Sequence, residues 1–310
     1  MKKNYAKILV AAALVAVSAL SINAEKVVVL SENFDKLENA VDANGLNRYS
    51  RNPWTGADAN GVSYQPNFAD LTAAGLADDF NGWTSRTTCL YPCRGFARIS
   101  KTNYGGDLLS PKFTALTAAT DLTLKWQGIG YTSNVTLNDD GSYKSGGVHD
   151  YQYYCVAVLG DGEIEGATKT MQVTYQDEDA NTIGVTAAVI EIPTEAFITM
   201  DTLAAWNVES TWNTLKIKGA TANTQVVFMS TIPNFTANTT KVKTTDYTTA
   251  DMPIATDAPH GTNVKVNRVI LDNIEVSYEK SEGGVKGDVN GDGTVNTSDV
   301  TSLINLILGA

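Results

Sequence analysis

The chain has 310 residues, 43% of them hydrophobic and 18% charged, with a formal net charge of −11. That is enough apolar material for one large or two smaller cored domains. The acidic balance argues against nucleic acid and anionic membrane as partners.

The first segment, MKKNYAKILVAAALVAVSALSINA, has the build of a signal peptide over residues 1–24. Lys2, Lys3 and Lys7 form a basic start, an apolar run extends from Ile8 to Leu20, and small Ala24 marks a cleavage point. Cleavage after Ser21 is the alternative, because Ile22 is not the ideal small residue before the cut. The run is too short for a good membrane anchor, and no later run is long enough to span a bilayer. The expected location is outside the cytoplasm: extracellular, on the cell surface or in the periplasm.

From Glu25 to Glu279 the chain reads as strands and turns. LTLKW (122–126), YQYYCVAVLG (151–160), AAVIEI (187–192), LKIKG (215–219), QVVFMS (225–230) and VILDNIEVSY (269–278) are short, apolar or alternating runs. Gly, Asn, Asp and Thr bound them, the pattern of an all-β sandwich. LTAAGLADDF (71–80) allows a short helix, weakened by Gly75. Residues 39–66, 131–149 and 231–263 are predicted as long loops, where a sandwich carries its binding surface. KSEGGVK places a linker at 280–286. Cys89, Cys93 and Cys155 leave one thiol over if two pair, and small buried thiols are the other reading.

Sugar binding asks for exposed aromatic faces beside polar groups. Trp83 and Tyr91 in GWTSRTTCLYPCRGFARIS (82–100), and Trp54 in RNPWTG, are the candidate stacking residues, since each sits in a turn-rich stretch. Trp126, Trp206 and Trp212 are expected in the core. Catalysis has weaker support. His149 and His260 are the only histidines, and no nucleophile or metalloprotease motif frames them. Asp78, Asp79, Asp139, Asp140, Glu163, Glu165 and the run 177–179 supply acids, without showing which converge as a glycosidase requires.

Three stretches carry a family likeness: SENFD (31–35), GGDLLSPKF (105–113) and RVILDNIEV (268–276). They resemble the first strand and turn, a loop-to-core strand, and the last strand of jelly-roll modules of the broad galactose-binding-like or concanavalin-like type. The resemblance implies a jelly-roll β-sandwich over 25–279. It also implies a structural calcium shared by an acid of the first strand and one of the last, here Glu32 and Asp272.

The tail is GDVNGDGTVNTSDVTSLINLILGA, residues 287–310. Asp288, Asn290, Asp292, Thr294, Asn296 and Asp299 fall at positions 1, 3, 5, 7, 9 and 12 of a calcium loop, with Gly293 at the sharp turn. Calcium takes six to eight oxygens, and acids clustered this closely repel without a cation. Val300, Leu303, Ile304, Ile307 and Leu308 then follow helical spacing and make a stripe that cannot bury itself.

Residues 288–309 resemble a type I dockerin repeat, in which Asp at the last loop position is usual. The resemblance implies calcium as cofactor and a cohesin-like protein partner, recognised through Thr297 and Ser298. The apolar stripe that includes Leu303 and Ile307 covers the sandwich, meets a second copy or docks on another protein. Dockerins carry two repeats, and this sequence shows one. The combined expectation is a secreted, non-catalytic β-sandwich that binds polysaccharide or surface glycan and docks through its tail. A glycoside hydrolase on the same sandwich is one alternative, and a structural adhesin without a sugar site is another.

Overall fold

The computed structural model describes residues 25–50, 68–139, 143–177, 179, 181–197, 208–230, 242–243, 266–280, 287, 289–290 and 295–308. The chain divides into two units, Val28–Ser277 and a second that combines Met1–Val27 with Tyr278–Ala310.

The strands in chain order are β1 (Glu25–Glu32), β2 (Leu90–Cys93), β3 (Phe96–Ile99), β4 (Tyr104–Gly105), β5 (Asp107–Leu109), β6 (Thr120–Gly130), β7 (Thr132–Leu137) and β8 (Tyr143–His149). They continue with β9 (Tyr153–Leu159), β10 (Glu163–Glu165), β11 (Thr170–Gln176), β12 (Thr182–Glu191), β13 (Trp212–Ala220), β14 (Gln225–Ser230), β15 (Val242–Lys243) and β16 (Val269–Lys280). The helices are short: α1 (Asp35–Asn39), α2 (Phe68–Ala73) and α3 (Thr297–Leu308).

A seven-stranded sheet in the order β10-β13-β6-β16-β3-β2, with β1 also on β16, faces a five-stranded sheet in the order β11-β12-β9-β14-β5. This is the all-β sandwich that the short apolar and alternating runs predict, with the jelly roll that the family resemblance implies. Between the sheets, Trp126 of β6 donates its indole N–H to the Tyr154 hydroxyl of β9 at 2.8 Å. It also meets the Phe228 ring of β14 edge-on, with centroids 5.4 Å apart. The odd-numbered side chains of β9 (Tyr153, Cys155, Ala157, Leu159) join Val173, Tyr175, Val189 and Met229 in a second apolar cluster.

Gly106 is required by the close approach of chains at the start of β5. A Cβ there would lie 2.3 Å from both the Cys89 carbonyl oxygen and the Ser100 nitrogen. All three cysteines are buried free thiols, so the disulfide alternative is not realised. Burial pushes the Cys93 thiol up to about 11 and raises that of Cys155 further still.

The predicted loop 131–149 and the turn-rich stretch 82–100 contain strands. Residues 82–100 fold into the β2–β3 hairpin, closed at Gly95 with φ +81°. Residues 131–149 fold into the antiparallel β7–β8 pair. The 71–80 segment splits into the end of α2 and a 3-10 turn at Ala77–Phe80, with Gly75 at φ +72° between them.

Candidate functional site

The predicted stacking platform does not form. Trp83 is 1% exposed. Its ring packs in the inter-sheet core, 6.5 Å from Phe34 and 6.4 Å from Phe228. A large apolar ring beside two phenylalanines gains more by burial than by waiting at the surface. Tyr91 is half-buried, and the Arg98 guanidinium covers its ring at 4.4 Å. Trp54 lies outside the described residues, as do Trp206 and His260. Trp212, expected in the core, is half-buried with Lys125 Nζ 4.4 Å from its ring.

The catalytic candidates are engaged elsewhere or dispersed. Asp79 accepts from Arg48 at 3.1 Å and from the Tyr49 hydroxyl at 2.6 Å. Glu163 and Glu165 stand exposed on β10. His149 ends β8 and stacks on Phe197 with centroids 4.2 Å apart.

A polar cleft of about 610 Å³ opens beside edge strand β5, lined among others by Thr84, Ser85, Arg86, Ser110, Lys112 and Gln225. Its walls are fixed by backbone pairing. Thr84 and Leu109 exchange hydrogen bonds of 2.9 and 2.8 Å, and Ser110 N donates to Val226 O at 2.9 Å. Beneath the cleft the fully buried Asp107 carboxylate accepts from Ser85 Oγ at 2.5 Å, Arg86 N at 2.9 Å, Thr87 N at 3.1 Å and Thr87 Oγ1 at 2.9 Å, and from the Tyr175 hydroxyl. Five donors on one carboxylate hold the 85–87 turn in a single geometry. Arg86 leaves that turn with its Nε sealed from solvent and without a hydrogen-bond acceptor. The sequence places GGDLLSPKF in the fold and Arg86 in the turn-rich stretch 82–100, and it singles out neither Asp107 nor Arg86.

Glu32 and Asp272, the pair named by the family likeness, stand near enough for the charge of Glu32 to act on Asp272. The end of β1 lies beside β16, and both acids are buried, at 3% and 9% exposure. A register shift between Asp272 and Glu275, with Asn273 at φ 49°, re-aims this part of β16. Glu32 Oε1 accepts from Phe34 N at 2.6 Å and Oε2 from Asn81 Nδ2 at 2.8 Å. Asp272 accepts from Asn273 N at 2.7 Å. Burial raises the Asp272 carboxyl to about 7; the Asn273 amide opposes this, and the charges of Asp35 and Glu32 add to it. The donors are all hard oxygens with lone pairs to spare, a chemistry that suits calcium. Among the described residues, however, no three His, Cys, Asp or Glu side chains are grouped as a metal cage.

In the tail, Asp288, Asp292 and Thr294 lie outside the described residues, while Asn290, Asn296 and Asp299 lie within them. Asn296 Oδ1 accepts from Ser298 N at 2.7 Å, and Asp299 Oδ2 accepts from Asn296 N at 2.8 Å. This is a reciprocal capping box at the start of α3. Asp299 Oδ1 also accepts from Val289 N at 2.7 Å and Asn290 N at 3.2 Å. At least three of its four lone-pair directions are therefore used in closing the loop. Thr297 and Ser298 are exposed on the first turn, and Leu303 is half-buried. Val300, Ile304, Leu306, Ile307 and Leu308 are 42–66% exposed.

No family profile matches the chain, and no curated protein does. Among solved structures, the carbohydrate-binding and catalytic modules of Clostridium thermocellum endo-1,4-β-D-xylanase 10B, complexed with xylohexaose, align at 8% identity and a TM-score of 0.29. That alignment covers 66% of this chain and 27% of the xylanase chain. The K3 cleaved adhesin domain of Lys-gingipain from Porphyromonas gingivalis aligns at 14% identity and a TM-score of 0.28 over 81% of this chain and 100% of that domain. Similarity at this level carries no argument about function. Among the described residues no helix is long and apolar enough to cross a membrane.

Proposed function

We propose that this chain is a secreted, non-catalytic β-sandwich that binds a polysaccharide or surface glycan, and that its C-terminal helix docks it to a protein partner. The observation that carries the docking half is the apolar face of α3, on which Val300, Ile304, Leu306, Ile307 and Leu308 all meet solvent. An apolar surface of that kind marks an interaction site rather than ordinary protein surface. The glycan half moves from the tryptophans to the polar cleft beside β5, whose rigid walls and hydroxyl, amide and cationic lining suit saccharide groups.

Calcium belongs to this reading at two places. In the tail, Asp288, Asn290, Asp292, Thr294, Asn296 and Asp299 would hold it, with Asp299 contributing beside its capping bonds. In the sandwich it would relieve the repulsion between buried Glu32 and Asp272. Thr297 and Ser298 would set the choice of a cohesin-like partner.

The test is affinity electrophoresis of the whole chain in gels containing a panel of plant and bacterial polysaccharides, run beside a reducing-end assay. Retardation without release of reducing ends is the expected result. Release of reducing ends would replace the reading with a hydrolase, and no retardation by any glycan would remove the glycan half.

A further inference from the structure

We infer that the cleft beside β5 binds an acidic saccharide, with the carboxylate or sulfate group seated on Arg86 and Lys112 as the second cation; this rests on the glycan-binding reading above. In a chain with a formal net charge of −11, this cleft carries two cationic side chains and no carboxylate among the described residues that line it. Arg86 is half-buried in the cleft lining, and its Nε–H has no acceptor among the described residues. Leaving such a donor unpaired is costly, so a ligand oxyanion that the side chain turns to meet is favoured. A guanidinium presents a planar fork of donors that matches an oxyanion two bonds at a time, better than it matches a neutral hydroxyl.

The surroundings favour an external anion over an internal one. Asp107, the carboxylate beneath, has its oxygens taken by Ser85, Arg86 N, Thr87 and Tyr175. Asp177 also feels the Arg86 charge. Its carboxylate, however, is occupied by Asp179 N at 3.0 Å, Asn181 N at 2.8 Å and Asn181 Nδ2 at 3.1 Å. The overall negative charge opposes binding weakly, because charges farther than about 8 Å are screened at physiological ionic strength. Because Asp107 pins the 85–87 backbone, only the side-chain freedom of Arg86 is lost when it meets its ligand.

The experiment is titration calorimetry of the whole chain with an oligogalacturonate, its fully methyl-esterified form, a neutral xylo-oligosaccharide and a sulfated dextran oligosaccharide. The ester removes the charge and keeps the sugar backbone. An acidic ligand is expected to bind about tenfold more tightly than its uncharged counterpart. R86Q should erase that preference, R86K should keep part of it, and melting temperatures should show that both variants fold. Arg86-dependent binding of the sulfated ligand alone would assign the anion as sulfate; of the galacturonate alone, as carboxylate. Equal affinity for acid and ester with no sulfate binding, or a preference that survives R86Q, would overturn the inference. If the neutral oligosaccharide still binds in that case, the broader glycan reading survives it.

Discussion

Tyr175, on one edge strand of the five-stranded sheet, donates its phenolic hydrogen to Asp107 on the opposite edge strand. Four strand steps separate the two, about 19 Å along a flat sheet. A tyrosine and an aspartate cannot bridge that span, so the sheet curls until its edges meet over one face. The face they enclose is filled by the cluster of Tyr151, Tyr153, Cys155, Val189 and Met229. A concave groove across the sheet is therefore closed, and open polar volume is displaced to the rim beside β5.

This bond makes Tyr175→Phe a clean test of the closure. The substitution removes one donor and leaves Asp107 four others. Loss of a buried hydrogen bond to a charged group is expected to cost about 1.5–3 kcal/mol in urea unfolding. Asp107→Ala should cost more, because it strands the Tyr175 hydroxyl and the backbone N–H groups of Arg86 and Thr87. A Tyr175→Phe protein as stable as wild type would mean that the sheet is held closed by its apolar cluster alone.

Trp83→Ala should behave as a core deletion. A buried tryptophan replaced by alanine loses about 3–5 kcal/mol, read from the denaturation midpoint at constant slope. Glycan affinity per folded molecule should stay unchanged, since the ring lies between Phe34 and Phe228. A specific loss of binding with unchanged stability would restore Trp83 to a binding surface.

These two sites show what the sequence made legible. The alternation in LTLKW marked β6, whose burial has a period of two there, and the continuous apolar run in QVVFMS marked β14, which is buried at every position. Glu32 and Asp272 were found through the likeness of first and last strands. The β2–β3 hairpin was hidden because Pro92, Arg94, Gly95 and Arg98 read as turn and surface residues. Arg98 is nonetheless 5% exposed, held over the rings of Tyr91 and Tyr131. The β7–β8 pair was hidden by its polar strands, which carry almost no apolar alternation. The fate of Trp83 depends on Phe34 and Phe228, far from it in sequence, and no local pattern encodes such a meeting.

Asp272 gives the calcium-free protein a distinctive pH response. Its folded-state carboxyl is raised to about 7, against about 3.9 for an unfolded aspartate. Between those values the folded state holds more protons than the unfolded one. Stability from this group is thus full below the unfolded value and is lost as pH rises toward 7, with a slope of up to about 1.4 kcal/mol per pH unit. In chelator the melting temperature should fall from pH 5 to pH 7, and Asp272→Asn should flatten that fall. Added calcium should reverse it, because the ion favours the ionised carboxylate. A chelator profile identical for Asp272→Asn and wild type would remove Asp272 as the source.

The tail joins two roles in one side chain, and they separate by substitution. Asp299 caps α3 through Asn296 N and closes the loop through Val289 N and Asn290 N. Asp299→Ala should therefore loosen the helix even in chelator, by about 1 kcal/mol for the lost cap. Faster amide exchange across 297–308 would report it. Asp288→Ala should leave exchange in chelator unchanged and weaken only the protection that calcium adds. Calorimetry on the whole chain should show calcium binding reduced by either change and lost from the tail in the double variant. Thr297→Ala and Ser298→Ala should leave calcium affinity intact and alter partner capture alone. Leu303→Ser with Ile307→Ser should likewise spare calcium but abolish docking, since the exposed stripe of α3 is the surface on offer. If the double acid variant keeps its calcium heat and its calcium-dependent protection, the ion does not reside in this loop. The capping bonds of Asp299 would then be its entire function there, and the tail would be a helix held by its own first turn.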